Sequence, residues 1–433
     1  MGHNIFSLHH NTPRVHRDPG AFPSPALLIF SCLFIYTAMM ATKSVYLAEI
    51  AYLMEIFEVD KASASMANTY YFIAYAGMQV ALFCFVSKID VRKYVIFTAP
   101  ISAVAIILMG VCDGMTEMRI LFALAGLFQA GVYSSANYVL THYLPTEYLT
   151  RANTVMSFGF AIGTVIAYGI SAVFVRYDLW RVPFFISGGM LIAAVILFAI
   201  CSMKAREVVA ASPGSSQSAD TEEIPLVKID SVRTGVVFYT VSVFVIFLSG
   251  VVYYAVMNWI STLLVEVYEM SQDISIYITT LAPLLITVGP VFTIRSCDKH
   301  RNFVRVALVY FLFAIPLPLL LAFFYDKSAL LAFLLCAAFV ILVNGVKTLA
   351  MTVTAFKLRR ELNTARFSAI ANAAGSLSAA IAPTVIGKII DLFDWSVAYF
   401  TVFGLSLLLA GLLALTDLAV RKKSLKTATL PEN

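Results

Sequence analysis

Hydrophobic residues occur along the chain in long runs that are separated by short polar segments. A bilayer core about 30 Å thick needs roughly 20 apolar residues in a helix, and runs of that length recur twelve times. The predicted spans are 25–50, 63–86, 94–112, 118–143, 152–175, 182–203, 235–259, 274–296, 303–325, 329–356, 366–388 and 395–418. These runs lack the two-residue alternation of outer-membrane strands. The pattern therefore predicts an all-α polytopic membrane protein with twelve transmembrane helices.

Three polar segments lie outside these spans and define the predicted domain organisation. Residues 1–24 have no apolar centre, so we expect a cytoplasmic N-terminal tail and no cleavable signal peptide. Residues 204–234 are rich in serine, proline and acidic residues and bury too little apolar surface to fold alone, which indicates a flexible cytoplasmic linker. Residues 419–433 form a second predicted cytoplasmic tail. The linker separates two six-helix bundles, residues 25–203 and 235–418.

The two predicted bundles resemble each other. Arg151 opens the fifth span and Trp180 follows 29 residues later, while Arg366 opens the eleventh span and Trp395 also follows 29 residues later. This correspondence indicates a duplication. Two parallel repeats of this kind are related by an axis along the membrane normal in some transporter folds. We therefore expect two pseudo-symmetric halves.

Composition supports the membrane class and excludes others. The chain is 60% hydrophobic and 13% charged, whereas soluble domains are about 45–50% apolar and about 25% charged. The net charge of +5 is dispersed, so we expect no nucleic-acid partner. Of the 30 basic residues, 22 fall in segments predicted to be cytoplasmic and six in outer segments. This bias predicts that both termini are cytoplasmic, and we expect a bacterial inner membrane.

The two remaining basic residues, Lys43 and Lys347, lie inside predicted spans. A charge near the centre of a membrane helix costs roughly 2.5–3.5 kcal/mol, so it needs a partner, water or a function. Lys43 either reaches the outer surface, if its helix ends near Ala48, or faces a central cavity, if the helix continues toward Glu55. Lys347 pairs with a backbone carbonyl, extends to the inner surface, or faces the same cavity. If both face that cavity, the two lysines would hold an anion by charge-assisted hydrogen bonds.

Polar residues at helical spacing supply a candidate lining for such a cavity. With the two lysines, the predicted substrate-binding residues are Tyr36, Tyr75, Gln129, Tyr133, Asn137, Tyr253, Asn344 and Asn372. For each of them, hydrogen bonding to a neighbouring helix is an equally good explanation. We find no carboxylate near the middle of a span, which favours exchange or facilitated transport over proton symport. We expect no cofactor, no metal ion and no enzymatic activity, and we expect a monomer in the lipid bilayer.

Several loop motifs resemble the major facilitator superfamily. SKIDVRK after the second span is similar to a shortened form of its acidic–basic loop motif, and RSCDKHR after the eighth span is similar to a second copy. YLPTEYLTRAN and DLWRVPFFISGG also resemble facilitator loops. YYAVMNWISTLLVEVYEMS resembles the organophosphate:phosphate antiporter branch. The resemblance implies the major facilitator fold over about 25–420 and a substrate-binding lysine at Lys43.

The resemblance to the antiporter branch has gaps. The first member of its basic pair in span one aligns with Thr42, its arginine in span seven aligns with Tyr253, and its span-five histidine falls near Ile162. A carboxylate is therefore as plausible a solute as a phosphate ester. The loop charges are either gating latches on the cytoplasmic side or plain topology signals: Asp90, Arg92, Lys93, Asp298, Lys299 and Arg301.

These observations predict a secondary transporter that moves a small anionic organic solute by alternating access. Two alternatives remain open. One is a transporter-like solute sensor that signals through a partner protein. The other is a proton-coupled efflux or uptake carrier for a neutral or drug-like solute.

Overall fold

The computed structural model describes residues 23–85, 89–205, 232–300, 303–357 and 364–428, and its regular secondary structure is helical throughout these ranges. The described part of the N-terminal half contains eight helices. They are α1 (Pro25–Ala48), α2 (Ile50–Ile56), α3 (Lys61–Phe85), α4 (Val91–Met109), α5 (Met115–Gln129), α6 (Val132–Tyr143), α7 (Thr146–Val175) and α8 (Val182–Lys204).

In the C-terminal half, the described ranges form ten helices. They are α9 (Val232–Met257), α10 (Ile260–Tyr268), α11 (Gln272–Thr279), α12 (Leu281–Ile286), α13 (Val288–His300), α14 (Phe303–Ala314), α15 (Pro316–Phe324), α16 (Ala329–Lys357), α17 (Thr364–Leu392) and α18 (Trp395–Ala428). Their order follows the predicted spans, and the all-α fold is confirmed. The predicted division into two bundles, a linker and two tails stays a prediction, because most of the linker lies outside the described residues.

Several predicted spans are interrupted helices. The first span ends at Ala48, and a short helix continues it after Glu49. The fourth span breaks at Ala130 and Gly131, between α5 and α6. Pro316 starts α15, because proline has no backbone amide and fits the first turn of a helix. Breaks of this kind are tolerated in membranes where neighbouring protein satisfies the freed backbone groups.

Eleven helical segments in the described residues are long and apolar enough to cross a membrane, by length and composition. The remaining predicted span corresponds to α3, which is 25 residues long but carries polar residues on one side. Its Asn68 is buried against the backbone of α17, where it donates a hydrogen bond to the Ala379 carbonyl. The polarity of α3 thus serves helix contacts inside the protein.

Helix contacts bring the two halves together at a few places. Within the N-terminal half, α1 packs on α6, α7 and α8, and α4 packs on α5 and α8. Within the C-terminal half, α9 packs on α16, α17 and α18. Across the halves, α3 packs on α17, and α7 packs on α11 and α12. These helix pairs position the residues that lie between the halves.

A glycine allows α7 to approach α1 closely. A Cβ atom on Gly163 would lie 2.7 Å from the Met40 Cβ and closer still to the Thr37 carbonyl oxygen. A Cβ atom on Gly169, further along the same helix, would meet nothing within 4 Å. Small residues at such crossings are typical of membrane helix packing.

We expect Gly163→Ala to destabilise the protein by about 1–3 kcal/mol, because the methyl group forces α1 and α7 apart. Gly169→Ala is the matched control, and it should be neutral or slightly stabilising because alanine favours helix. The midpoint of thermal unfolding in detergent measures both. Equal midpoints for the two variants would contradict the packing described here.

Candidate functional site

Lys43 extends from α1 toward α3, into the space between the halves. Its Nζ lies 4.4 Å from the centre of the Phe72 ring, which is a cation–π contact. Among the described residues, no carboxylate forms an ion pair with Lys43. The helix ends at Ala48, as expected if Lys43 reached the outer surface. Its ammonium group nevertheless lies against an aromatic ring of the neighbouring helix α3.

Lys347 approaches the same region from α16. Its Nζ lies 4.2 Å from the centre of the Tyr253 ring and 5.1 Å from that of Tyr254. Tyr254 in turn lies 6.1 Å from Phe72, centre to centre, so an aromatic pair links the two lysines across the halves. Two positive charges thus flank one aromatic pair. An unpaired charge at this depth is costly, and a second one nearby raises the cost.

Aromatic side chains form the walls around the two lysines. Tyr36 of α1 and Tyr133 of α6 pack with ring centres 4.8 Å apart, and Tyr75 of α3 lies 6.0 Å from Tyr71. Tyr36, Tyr75, Lys43 and Lys347 are only partly buried, although they lie between helices, and Tyr133 is 42% exposed. Polar and aromatic groups thus share a space that solvent reaches.

The structure places Gln129 outside this lining, which corrects the prediction for that residue. Gln129 is completely buried, and its amide nitrogen donates to Thr42 at 3.0 Å and to Ser102 at 2.7 Å. Its amide oxygen accepts a hydrogen bond from the Tyr71 hydroxyl at 2.7 Å. The amide therefore ties α1, α3, α4 and α5 together and has no free group for a solute.

The other predicted lining residues differ in burial and in their contacts. Tyr253 is almost fully buried and presents its ring to Lys347. The Asn344 amide donates to the Ile286 carbonyl at 3.4 Å. Asn137 is half-buried and Asn372 is exposed. Of these three asparagines, Asn344 is the one for which the described residues supply a hydrogen bond to another helix, and it lies one turn before Lys347.

A cluster of charges joins the halves at the end of the protein where α1 ends and α3 begins, which we call the distal face. The Lys61 Nζ lies 2.8 Å from the Glu266 Oε1 and 3.2 Å from the Asp391 Oδ1. We call these three residues the distal ionic cluster. The Ala62 amide also donates to Asp391, and the Trp395 indole donates to Glu266, both at 3.2 Å.

Hydrogen bonds hold Lys61 in its charged form. Burial alone would lower the pKa of the Lys61 ammonium, but hydrogen bonds and attraction to Glu266 and Asp391 outweigh it and raise the pKa. Further along the same helix pair, the Thr69 hydroxyl lies 2.8 Å from the Thr384 hydroxyl. The polar contacts described between the halves lie toward the distal face.

At the opposite, terminal face, where α1 and α17 begin, two of the predicted gating charges, Asp90 and Arg92, pair with each other inside the N-terminal half. Arg92 donates to Asp90 at 3.2 Å and to the Ser202 carbonyl at 3.3 Å. The hydrogen bond from Arg92 holds the pKa of Asp90 below its usual range. Lys93 is exposed. Arg301 and the side chains of Asp298 and Lys299 lie outside the described residues.

Sequence patterns did not reveal three features of the structure. The distal ionic cluster joins residues up to 330 positions apart, and no local spacing signals such a pair. Phe72 and Tyr254 contact the two lysines, but the chain has many aromatic residues and the sequence does not distinguish these two from the others. Glu49 lies near the end of the first predicted span, where a carboxylate would be expected to reach water, yet it is completely buried. Within the described residues, no cluster of His, Cys, Asp or Glu could hold a metal ion.

Comparison with known proteins shows a shared fold. A bacterial homologue of the human lysosomal transporter Spinster, in an inward-facing and occupied conformation, matches with a TM-score of 0.68 and 16% identity. The match covers 95% of this chain and 98% of the other. The nucleoside transporter NupG matches with a TM-score of 0.66 and 14% identity, over 91% of this chain and 99% of the other. At such identities the likeness shows the fold alone.

The family assignment rests on sequence. No curated protein is similar enough in sequence to match the chain. The family model described as the Major Facilitator Superfamily matches residues 29–365, which is more than half of the chain. Together with the helical fold and the apolar spans, this match shows that the chain is a multi-pass membrane transporter that belongs to the Major Facilitator Superfamily.

Proposed function

We propose that the protein is a secondary transporter that moves a small anionic organic solute, of the organophosphate or carboxylate type, by alternating access. The observation that carries this proposal is the position of Lys43 and Lys347. They come from opposite halves, they face a common aromatic-walled space, and no carboxylate of the described residues pairs with either. An anion between them would be attracted by both positive charges and accept hydrogen bonds from both ammonium groups.

The walls of the space favour a solute with an apolar or aromatic body. Phe72 and Tyr254 present their rings to the two lysines, where a ring of the solute would pack. This chain has fewer basic residues to bind a phosphate group than the antiporter branch that it resembles. Thr42, at the position of a basic residue in the antiporter branch, is buried and donates to the Met39 carbonyl. We therefore expect a carboxylate to bind at least as well as a phosphate ester.

Alternating access would consist of rocking residues 25–203 against 235–418. The distal ionic cluster and the contacts of α3 with α17 support a state in which the distal face is closed. We propose that the terminal face is cytoplasmic, because most basic loop residues lie on that side of the predicted topology. We further propose a monomer in a bacterial inner membrane.

A thermal-shift panel of purified protein tests the solute class. The panel contains benzoate, phenyl phosphate, glucose 6-phosphate, glucose and uridine. A ligand at one hundred times its Kd stabilises the native state by about 2.7 kcal/mol, so a true ligand raises the melting temperature. We expect stabilisation by an anion with an aromatic body. Stabilisation by uridine or glucose alone would instead support a carrier for neutral solutes.

Flux separates a transporter from a sensor. Proteoliposomes that contain the protein should take up the stabilising anion faster than protein-free liposomes. They should also exchange it for the same anion loaded inside. Binding without uptake would point to a solute sensor with the transporter fold.

A further inference from the structure

A buried carboxyl group lies where α1 gives way to α2, near the distal face. Glu49 has no solvent exposure, and neither of its carboxyl oxygens has a hydrogen-bond partner among the described residues. The anion site uses Lys43, six residues earlier in the chain, and leaves Glu49 without a role. A carboxyl group with this degree of burial and no partner is rare in proteins.

The groups that surround Glu49 do not compensate a negative charge. On α7, the Ser171 hydroxyl lies near the carboxyl group and favours its charged form, but burial outweighs this effect and the geometry falls short of a regular hydrogen bond. Tyr168 of the same helix belongs to the neighbouring apolar cluster. On α2, Tyr52 donates to Asp178 at 2.8 Å. The α11 helix contributes the apolar Ile276. No basic side chain of the described residues pairs with Glu49.

Glu49 lies directly beside a contact between the two halves. Ala48 packs with Tyr168 and Ala172 of α7 and with Ile276 of α11, in one apolar cluster. The α7 helix belongs to the N-terminal half and α11 to the C-terminal half, so the cluster is a seam between the halves. Separation of this seam would admit water to Glu49.

An ionised carboxylate without a partner in an apolar environment is strongly disfavoured, whereas the neutral acid loses much less on leaving water. When the seam is open and water reaches the carboxyl group, the ionised form is the more stable one near neutral pH. We propose that Glu49 is a proton-binding site and that closure of the distal face takes up one proton there. The carboxylate gains a proton from water as the seam closes, and reopening releases it.

The direction of the pH dependence follows from this linkage. The closed state binds one proton more than the open state, so low pH favours closure and rising pH favours opening. For one proton, the ratio of open to closed molecules changes by up to about tenfold per pH unit. Tyr52 does not supply this change, because burial and its hydrogen bond to Asp178 raise its pKa and keep the phenol neutral. Asp178 and Glu55 are the other carboxyl groups near Tyr52.

The test measures the distance between spin labels on the two halves as a function of pH, without any solute. Labels at Tyr177→Cys and Lys327→Cys, in a chain whose six native cysteines are replaced, report the opening of the distal face. We expect the open fraction of the otherwise native protein to rise between pH 5 and pH 8, with a slope of up to about tenfold per unit. Glu49→Gln and Glu49→Met should remain closed and insensitive to pH.

Glu117→Gln, at an exposed carboxyl group of α5, is the matched control and should keep the native slope. Two variants at position 49 are needed because the buried amide of glutamine could itself disturb packing, whereas methionine is apolar and of similar volume. A native protein without a pH-dependent open fraction would overturn the proposal. A native slope that persists in both Glu49 variants would overturn it too. The anion site does not enter this measurement, so neither result depends on the proposed solute.

Discussion

Replacing Lys43 or Lys347 with alanine is expected to lower solute affinity by roughly 30-fold to several thousand-fold. Truncating one partner of a buried, hydrogen-bonded charge pair costs about 2–5 kcal/mol, and about 1.4 kcal/mol corresponds to a tenfold change. Uptake of the anion into proteoliposomes at low concentration should fall in proportion. Lys327→Ala is the matched control, because Lys327 is exposed and its ion-pair partner in the described part of the chain is the adjacent Asp326.

Stability distinguishes a binding role for these lysines from a structural role. Each ammonium group is held between helices without a carboxylate partner in the described residues. Replacing a poorly compensated buried charge with an apolar side chain is often neutral or stabilising. We therefore expect Lys43→Met and Lys347→Met to melt at or above the native temperature while losing transport. A large drop in melting temperature would indicate that the lysines support the fold.

Neutralising both acids of the distal ionic cluster is expected to shift the protein toward opening at the distal face. In Glu266→Gln with Asp391→Asn, Lys61 loses both ion-pair partners. Exposed pairs contribute about 0–1 kcal/mol, and breaking buried pairs costs about 3–5 kcal/mol. Since these side chains are between 14% and 35% exposed, we expect about 1–3 kcal/mol, or about a 5- to 150-fold change in the equilibrium.

Spin labels at Tyr177→Cys and Lys327→Cys also measure this shift toward the open state. We expect a larger fraction of molecules with a long distance between the two labels. The control is Asp113→Asn, which breaks an exposed ion pair with Arg181 within the N-terminal half. That variant should leave the distance distribution unchanged. A double variant with the native distribution would show that apolar packing, and not the ionic cluster, closes the distal face.

The sequence predicts the fold better than it predicts the site. Runs of about 20 apolar residues identify the spans, because membrane thickness imposes that length on every crossing helix. The same rule does not locate the breaks inside spans, such as the one at Glu49, since neighbouring helices decide where an interruption is satisfied. The position of Lys43 illustrates the limit. Its helix ends near the surface, yet its side chain contacts Phe72 of another helix.

The prediction that Gln129 lines the cavity failed for a similar reason. Gln129 lies on a polar stripe of α5 and α6, which is consistent with a cavity lining and equally with contacts between helices. Its actual partners, Thr42, Ser102 and Tyr71, come from three different helices. Contacts of that kind depend on tertiary packing, and spacing within one helix contains no information about them.

The proposed transport mechanism requires that the anionic group of the solute interacts with Lys43 and Lys347 together. A binding experiment compares the Kd of the best-binding anion with that of its uncharged amide, for the native protein and for each lysine-to-alanine variant. We predict that the native protein prefers the anion by at least about tenfold, which is about 1.4 kcal/mol. Each variant should lose most of that preference. Retention of the native preference in both variants would contradict the joint role of the two lysines.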